Sequence, residues 1–239
     1  MTSDLLVHLS GVRKAFAATL VLDDIALDVR GGEAVALLGA NGAGKTTLLK
    51  IVATLARPTR GTVQVAGHDC ARDAEGARRH LGLVGHGSQL YEDLTARENL
   101  RFWAALRGHP TEGTRLGEAL AVVELEGVSD ERVRTFSAGM KRRLTLARVA
   151  LAPPRVLLLD EPSAGLDQRG RKWLEAFLQE FKSGGGAIVM ATHSLGRELS
   201  VADRIAILAE GRIALDTARA SLSVEDVQRL YALHAEGDG

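Results

Sequence analysis

The chain has few of the residues that would settle its class cheaply. It carries one cysteine, Cys70, so no internal disulfide can form, which fits a reducing compartment. It has no excess of either charge, with 30 Lys plus Arg against 30 Asp plus Glu. No overall field therefore favours a nucleic acid, which argues against a DNA-handling enzyme except through a local basic groove. No stretch approaches the roughly 18 uninterrupted apolar residues that a bilayer span needs, and the N-terminus lacks the charged-then-apolar pattern of a signal peptide. Any membrane part is expected from another chain. Internal repeats and low-complexity tracts are also missing. What remains is the composition of an ordinary globular protein, 46% hydrophobic and 25% charged over 239 residues. That length suffices for one large or two modest domains.

Against this plain background one segment stands out. Gly39-Ala40-Asn41-Gly42-Ala43-Gly44-Lys45-Thr46 closes the apolar run Ala34 to Leu38 and opens a helical pattern at Thr47-Leu48-Leu49-Lys50-Ile51-Val52. This is a phosphate-binding P-loop in the strand, loop, helix context that it requires. The glycines let successive backbone NH groups face inward, and the helix adds the positive end of its dipole. Lys45 would reach the outer phosphates as a point charge, and the Thr46 hydroxyl would complete the shell of a magnesium ion, with Thr47 a weaker candidate.

Leu5 to Leu9 and Ile25 to Val29 read as short strands separated by polar turns. Between them lies Phe16, in a chain only 4% aromatic. On a loop or strand end before the P-loop it is a candidate to stack on an adenine ring; a core aromatic is the alternative. Thr62 to Val65 and Leu81 to Val84 are further short strands. From Thr95 to Arg134 the signals become helical, with Leu100, Trp103 and Leu106 at three-residue spacing and Leu116, Leu120 and Val123 likewise. Val156 to Leu159 and Ala187 to Ala191 are continuous apolar runs, consistent with parallel strands buried on both faces. The pattern Trp173, Leu174, Phe177, Leu178, Phe181 predicts the helix that joins them. Ile205 to Leu208 and Arg212 to Ala214 flank Glu210-Gly211 as a hairpin, and Val224 to His234 marks a closing helix.

Asp160 and Glu161 follow the Val156 run at once, at the carboxyl end of a parallel strand, where ligands of open α/β sheets bind. Asp160 is placed to hold the magnesium ion, mostly through water, and Glu161 to accept a proton from the water attacking the terminal phosphate; a solvated strand end is the bland alternative. Phe136-Ser137-Ala138-Gly139-Met140 is the second decisive stretch. Ser137 is a good N-cap, and Met140, Leu144, Ala147 and Leu151 make an apolar face. Lys141, Arg142 and Arg143 then oppose the helix dipole, at a few tenths of a kcal/mol per charge unless an anion lies nearby. A nucleotide phosphate is one such anion, and a solvated basic face is the competing reading.

In order, the P-loop, the serine-glycine helix, Val156 to Glu161, Ser163-Ala164-Gly165-Leu166-Asp167 and Ala191-Thr192-His193 resemble the nucleotide-binding subunits of ABC transporters. The resemblance covers nearly the whole chain up to about Ala214. It implies an α/β P-loop fold with a mixed parallel sheet core, an N-terminal antiparallel β subdomain and a helical insert. The expected division is one domain over 1–239, with core segments 1–85 and 150–215, a helical part 86–149 and a helical tail 216–239. The family implies a homodimer with two ATP molecules in its interface, each between the P-loop of one subunit and Ser137, Ala138, Gly139 and Met140 of the other. Glu161 would be the general base, His193 the switch residue at the terminal phosphate, and Asp167 part of the loop crossing the dimer. Phe16 aligns with the adenine-stacking aromatic. ATP and Mg2+ are the implied ligands and an integral-membrane permease the implied partner, with no nucleic acid, at the cytoplasmic face of the cell membrane.

Two departures narrow this reading. The signature has Phe136, Ala138 and Met140 where the usual pattern is Leu-Ser-Gly-Gly-Gln. The loop Val84-Gly85-His86-Gly87-Ser88-Gln89 puts His86 where a magnesium-contacting glutamine is usual, either as donor or metal ligand or as a loop histidine with no metal contact. Gly85-His86, followed by Leu90-Tyr91-Glu92-Asp93-Leu94-Thr95-Ala96-Arg97-Glu98-Asn99-Leu100, is similar to the ATPase subunit of the haem exporter of cytochrome c maturation. Exporters of drugs, lipids or polysaccharides share part of the pattern. Leu90 to Trp103 is also where the family docks its permease, so Tyr91 and Trp103 are candidate partner contacts.

Overall fold

A computed structural model describes residues 4–85, 89–108, 113–193 and 197–235. The backbone groups into two compact units, Met1–Gly85 with Arg155–Pro162 and Arg171–Gly239, and His86–Pro154 with Ser163–Gly170.

The first unit opens with a hairpin of β1 (Leu5–Phe16) and β2 (Thr19–Arg30). Leu22, Ile25, Leu27 and Val29 of β2 are buried while Asp24, Ala26 and Asp28 face out, the alternation of a sheet with one packed face. The strands are longer than the two short runs expected from the sequence. Register shifts along β1 absorb its polar middle and let pairing continue from Leu5 opposite Arg30 to Phe16 opposite Thr19. Next come β3 (Ala34–Leu38), α1 (Lys45–Val52), β4 (Arg60–Val65), β5 (His68–Asp69), α2 (Ala74–Arg79) and β6 (Leu81–Val84). β1, β2, β4 and β5 form an antiparallel sheet in the order β2-β1-β4-β5.

Among the described residues the second unit holds the α-helices α3 (Ala96–Leu106), α4 (Gly113–Val122) and α5 (Ala138–Leu151). Thr95 and Glu98 cap α3 reciprocally, with each side chain accepting from the backbone NH of the other residue. Leu100, Ala104, Leu116, Leu120, Leu144, Leu146 and Ala147 are buried. Leu106 is 62% exposed although it shares the spacing of Leu100 and Trp103; it sits in the last turn, where the helix ends. The polar centre is Asn99, fully buried. Its Oδ1 accepts from Tyr91 N at 2.8 Å, and its Nδ2 donates to the Tyr91 and Thr95 carbonyls at 2.9 Å each. At the start of α5, Lys141 Nζ is 2.5 Å from the Glu92 carboxylate and Arg143 Nη1 is 3.2 Å from that of Glu124. These supply the anions that the helix dipole demands.

The remaining elements are β7 (Val156–Asp160), α6 (Gln168–Ser183), β8 (Ala187–Thr192), β9 (Arg204–Ala209), β10 (Arg212–Ala218) and α7 (Val224–Ala235). A six-stranded sheet runs β10-β9-β3-β8-β7-β6, parallel throughout except for the terminal hairpin β9-β10. Glu210 and Gly211, both at positive φ (48° and 75°), turn that hairpin. Every residue of β3, β7 and β8 is buried, as continuous apolar runs inside a parallel sheet require.

Candidate nucleotide-binding site

The strand order β3-β8-β7 brings three loops to one edge of the sheet. Leu38 pairs with Thr192, and Asp160 with Ala191, so the P-loop, Asp160-Glu161 and Thr192-His193 all leave at the carboxyl ends of adjacent parallel strands. These pieces are far apart in sequence and become neighbours only through the sheet.

In the P-loop, Gly39 is needed because a Cβ there would sit 2.5 Å from the Leu208 carbonyl oxygen. Gly44 has φ 106° and would place a Cβ 2.7 Å from Leu22 Cδ2. Around them Ala40, Asn41, Gly42 and Ala43 complete the turn, with Ala43 N donating to the Ala40 carbonyl at 3.2 Å. Gly44 is the N-cap of α1 and offers no side-chain acceptor, and no acidic residue lies in the first turn. The first NH groups of the helix therefore suit an external anion. Lys45 is buried and its Nζ donates to the Gly39 and Ala40 carbonyls at 2.6 and 3.0 Å. Burial holds its ammonium below the ordinary lysine range, while Glu161 and Asp160 pull it upward. A polyphosphate fits this cradle of NH groups and one cation.

The Thr46 hydroxyl donates to Asp160 Oδ2 at 2.9 Å. A hydroxyl from the start of α1 and a carboxylate from the end of β7 are the hard oxygen donors that magnesium takes beside phosphate and water, so the residues fit the ion. Thr47 is half-buried on α1. Glu161 has φ 49°, a left-handed conformation unusual for a residue with a side chain. Its NH donates to the Ala191 carbonyl at 2.9 Å. Its Oε1 accepts from His193 N at 3.1 Å and lies 2.7 Å from His193 Nδ1, and its Oε2 accepts from the Thr192 hydroxyl at 3.3 Å. The carboxylate is thus aimed by its own backbone and by three donors on β8 and just beyond it. In the sequence Thr192 is named only within the Ala191-Thr192-His193 motif, with no role assigned; its place immediately before His193 was the available signal.

Phe16 stands at the end of β1, 52% exposed, rather than in the core. Lys14, also not anticipated, places its Nζ 4.6 Å from the Phe16 ring centroid. In the other unit, Ser137 caps α5 by accepting from Met140 N at 3.2 Å, so Ala138, Gly139 and Met140 form a first helical turn as expected. Gly139 is open enough that a Cβ would meet only ordinary contacts. Asp167 Oδ1 accepts from Gly170 N at 2.7 Å, near the start of α6. His86 lies outside the described residues.

The model of the ABC transporter family matches residues 22–164, from the buried side of β2 through Glu161 and the segment after it. The chain belongs to the ABC transporter family. As an ABC ATPase it binds ATP and hydrolyses it in transport. It is 36% identical over 225 residues to the daunorubicin resistance ATP-binding protein DrrA3 of Streptomyces coeruleorubidus, covering 93% of this chain and 71% of that protein. It is 40% identical over 223 residues to the sulfate/thiosulfate import ATP-binding protein CysA of Xanthomonas campestris, covering 88% of this chain and 64% of that protein. Among solved structures, a dimeric ATP-binding cassette in a post-hydrolysis state, bound to ADP and Pi, superposes with a TM-score of 0.80 at 26% identity over 89% of this chain and 98% of that one. Among the described residues of the ABC ATPase no helix is long and apolar enough to cross a membrane.

Proposed function

We propose that this ABC ATPase powers an exporter as one of two identical subunits on the cytoplasmic face of a membrane permease carried by a separate chain. The observation that carries the catalytic part is the gathering of Lys45, Thr46, Asp160, Glu161 and His193 at one sheet edge. Lys45 and the P-loop NH groups bind the phosphates, and Phe16 stacks on the adenine. Thr46 and Asp160 hold Mg2+, which when bound neutralises charge on the phosphates. Glu161, held by His193 and Thr192, orients the attacking water and takes its proton as the oxygen bonds to the terminal phosphorus; the bond to the bridging oxygen breaks and ADP departs. The Ser137 to Met140 turn of the second subunit closes on the same nucleotide, with Asp167 in the loop crossing the pair. The dimeric cassette that superposes on this chain supports that arrangement.

The test of the catalytic and dimer reading is Glu161→Gln. The variant is expected to lose phosphate release and to elute as an ATP-bound dimer on gel filtration with ATP and magnesium, where the wild type elutes as monomer. A variant that binds ATP yet stays monomeric overturns the paired-subunit reading.

For the cargo we favour a drug-like compound, because the alignment with the daunorubicin resistance protein spans almost the entire chain. The import protein CysA shares the engine at similar identity, so the outward direction rests on the export-type pattern from Leu94 to Leu100. Haem export is the second reading, favoured by Gly85-His86 in the sequence. Deleting the gene distinguishes them: daunorubicin sensitivity supports the first, and loss of c-type cytochromes supports the second.

A further inference from the structure

The Phe16 ring is half exposed, and an ammonium sits over it. Lys14 lies two residues earlier on β1, and strand geometry puts residues i and i+2 on the same face. Its Nζ is held in place by donating to the Arg57 carbonyl at 2.9 Å. That carbonyl belongs to the segment between α1 and β4, which is tied to the same strand end twice more. Thr59 N donates to the Arg13 carbonyl at 2.7 Å, and Ala15 N donates to the Thr59 hydroxyl at 3.0 Å. The chain that leaves the P-loop helix is thus laced to the strand end that carries Phe16, and Lys14 bridges the two.

We propose that Lys14 is a positioning residue for the nucleotide base, fixing the Phe16 ring from one face so that the other is presented to adenine. This rests on the reading of Phe16 as the base-stacking residue. A cation over an aromatic ring is attracted by the negative face of its quadrupole. It restrains the ring before the base arrives, so less side-chain freedom is lost on binding. It also draws ring electron density towards itself, so the opposite face repels the π-cloud of the purine less. At an exposed site such a contact changes an equilibrium by about two- to fivefold. Lys14 acts through Phe16 and touches neither the phosphates nor the reacting atoms.

Isothermal titration of the full chain with Mg-ATP and with inorganic tripolyphosphate tests this, alongside steady-state hydrolysis. Lys14→Met is expected to weaken ATP about two- to fivefold, leave tripolyphosphate unchanged, and raise KM with kcat unaltered. Lys14→Arg restores the affinity, because a guanidinium also sits over an aromatic face. In a Phe16→Ala background Lys14→Met has no further effect, the signature of coupling between the two side chains. An unchanged ATP affinity in Lys14→Met, an equal loss for tripolyphosphate, or a full effect that persists without Phe16 overturns the proposal while leaving the base-stacking reading intact. If Phe16→Ala itself binds ATP as tightly as the wild type, the base-stacking reading fails and the role of Lys14 falls with it.

Discussion

Replacing Arg148 by methionine should make the protein more stable. Arg148 is on α5, with its guanidinium carbon 4.3 Å from the Trp103 ring centroid. Burial, with Arg107 adding to it, pushes its pKa down to about 10. That is roughly two and a half powers of ten below an ordinary arginine, and at ~1.4 kcal/mol for each power the charge costs about 3–4 kcal/mol to hold there. No carboxylate among the described residues offsets it. The cation–π contact in a desolvated setting returns about 2 kcal/mol, and the bond from Nε to the Thr145 carbonyl is long at 3.3 Å. Methionine keeps an unbranched reach and a sulfur contact with the indole worth about 0.3–1.5 kcal/mol, with no charge to bury. The balance is a gain of about 1–2 kcal/mol, or roughly 2–8 °C in Tm for a chain of this size. Thermal and urea melts followed by tryptophan fluorescence measure it. The sign of the pH dependence follows from the lowered value: the folded protein binds fewer protons than the unfolded chain only above about pH 10, so the full cost is present below that and is relieved above it. The gain should therefore be constant from pH 6 to 9. A variant that melts lower than the wild type at pH 7 would refute the reasoning by showing that the guanidinium is a net stabiliser.

Asn99→Ala should cost about 2–4 kcal/mol in urea melts and raise hydrogen exchange at Tyr91 NH, because it strips buried partners from the 91–95 segment; a loss below about 1 kcal/mol would contradict the hub role. His80 is held below the ordinary histidine range, first by burial and then by His68, Arg155 and Arg79. As a base with a lowered folded value it supports folding above pH 6.5, and that support is lost as pH falls through its folded value. His80→Gln should flatten the fall of the urea midpoint between pH 7.5 and 5.5, and an unchanged slope would assign the acid sensitivity elsewhere.

The P-loop was legible because its chemistry is carried by contiguous spacing. Backbone NH groups, Lys45 and Thr46 lie within eight residues, and only the strand before and the helix after needed to be inferred. Val156 to Leu159 and Ala187 to Ala191 were legible as buried strands because a parallel sheet covered on both faces needs short, wholly apolar runs. The lengths of β1 and β2 were not, since towards their turn the buried Val12 and Leu22 are separated by charged residues such as Arg13, Lys14, Asp23 and Asp24, and the pairing there runs across bulges. The charges on α5 were likewise ambiguous, because their partners Glu92 and Glu124 are 49 and 19 residues away.

By itself the sequence determined that this chain makes a phosphate cradle, a serine-capped signature helix and an acidic strand end, each a local arrangement set by neighbouring residues. Only the tertiary structure decided that Glu161 meets His193 at 2.7 Å, that Thr46 meets Asp160, and that Phe16 is backed by Lys14. The first two depend on strand order, in which β7 and β3 both flank β8, and the last on a pleat and an anchoring carbonyl more than 40 residues on. Strand order is fixed by how whole sheets bury their faces, and no short stretch of residues encodes it.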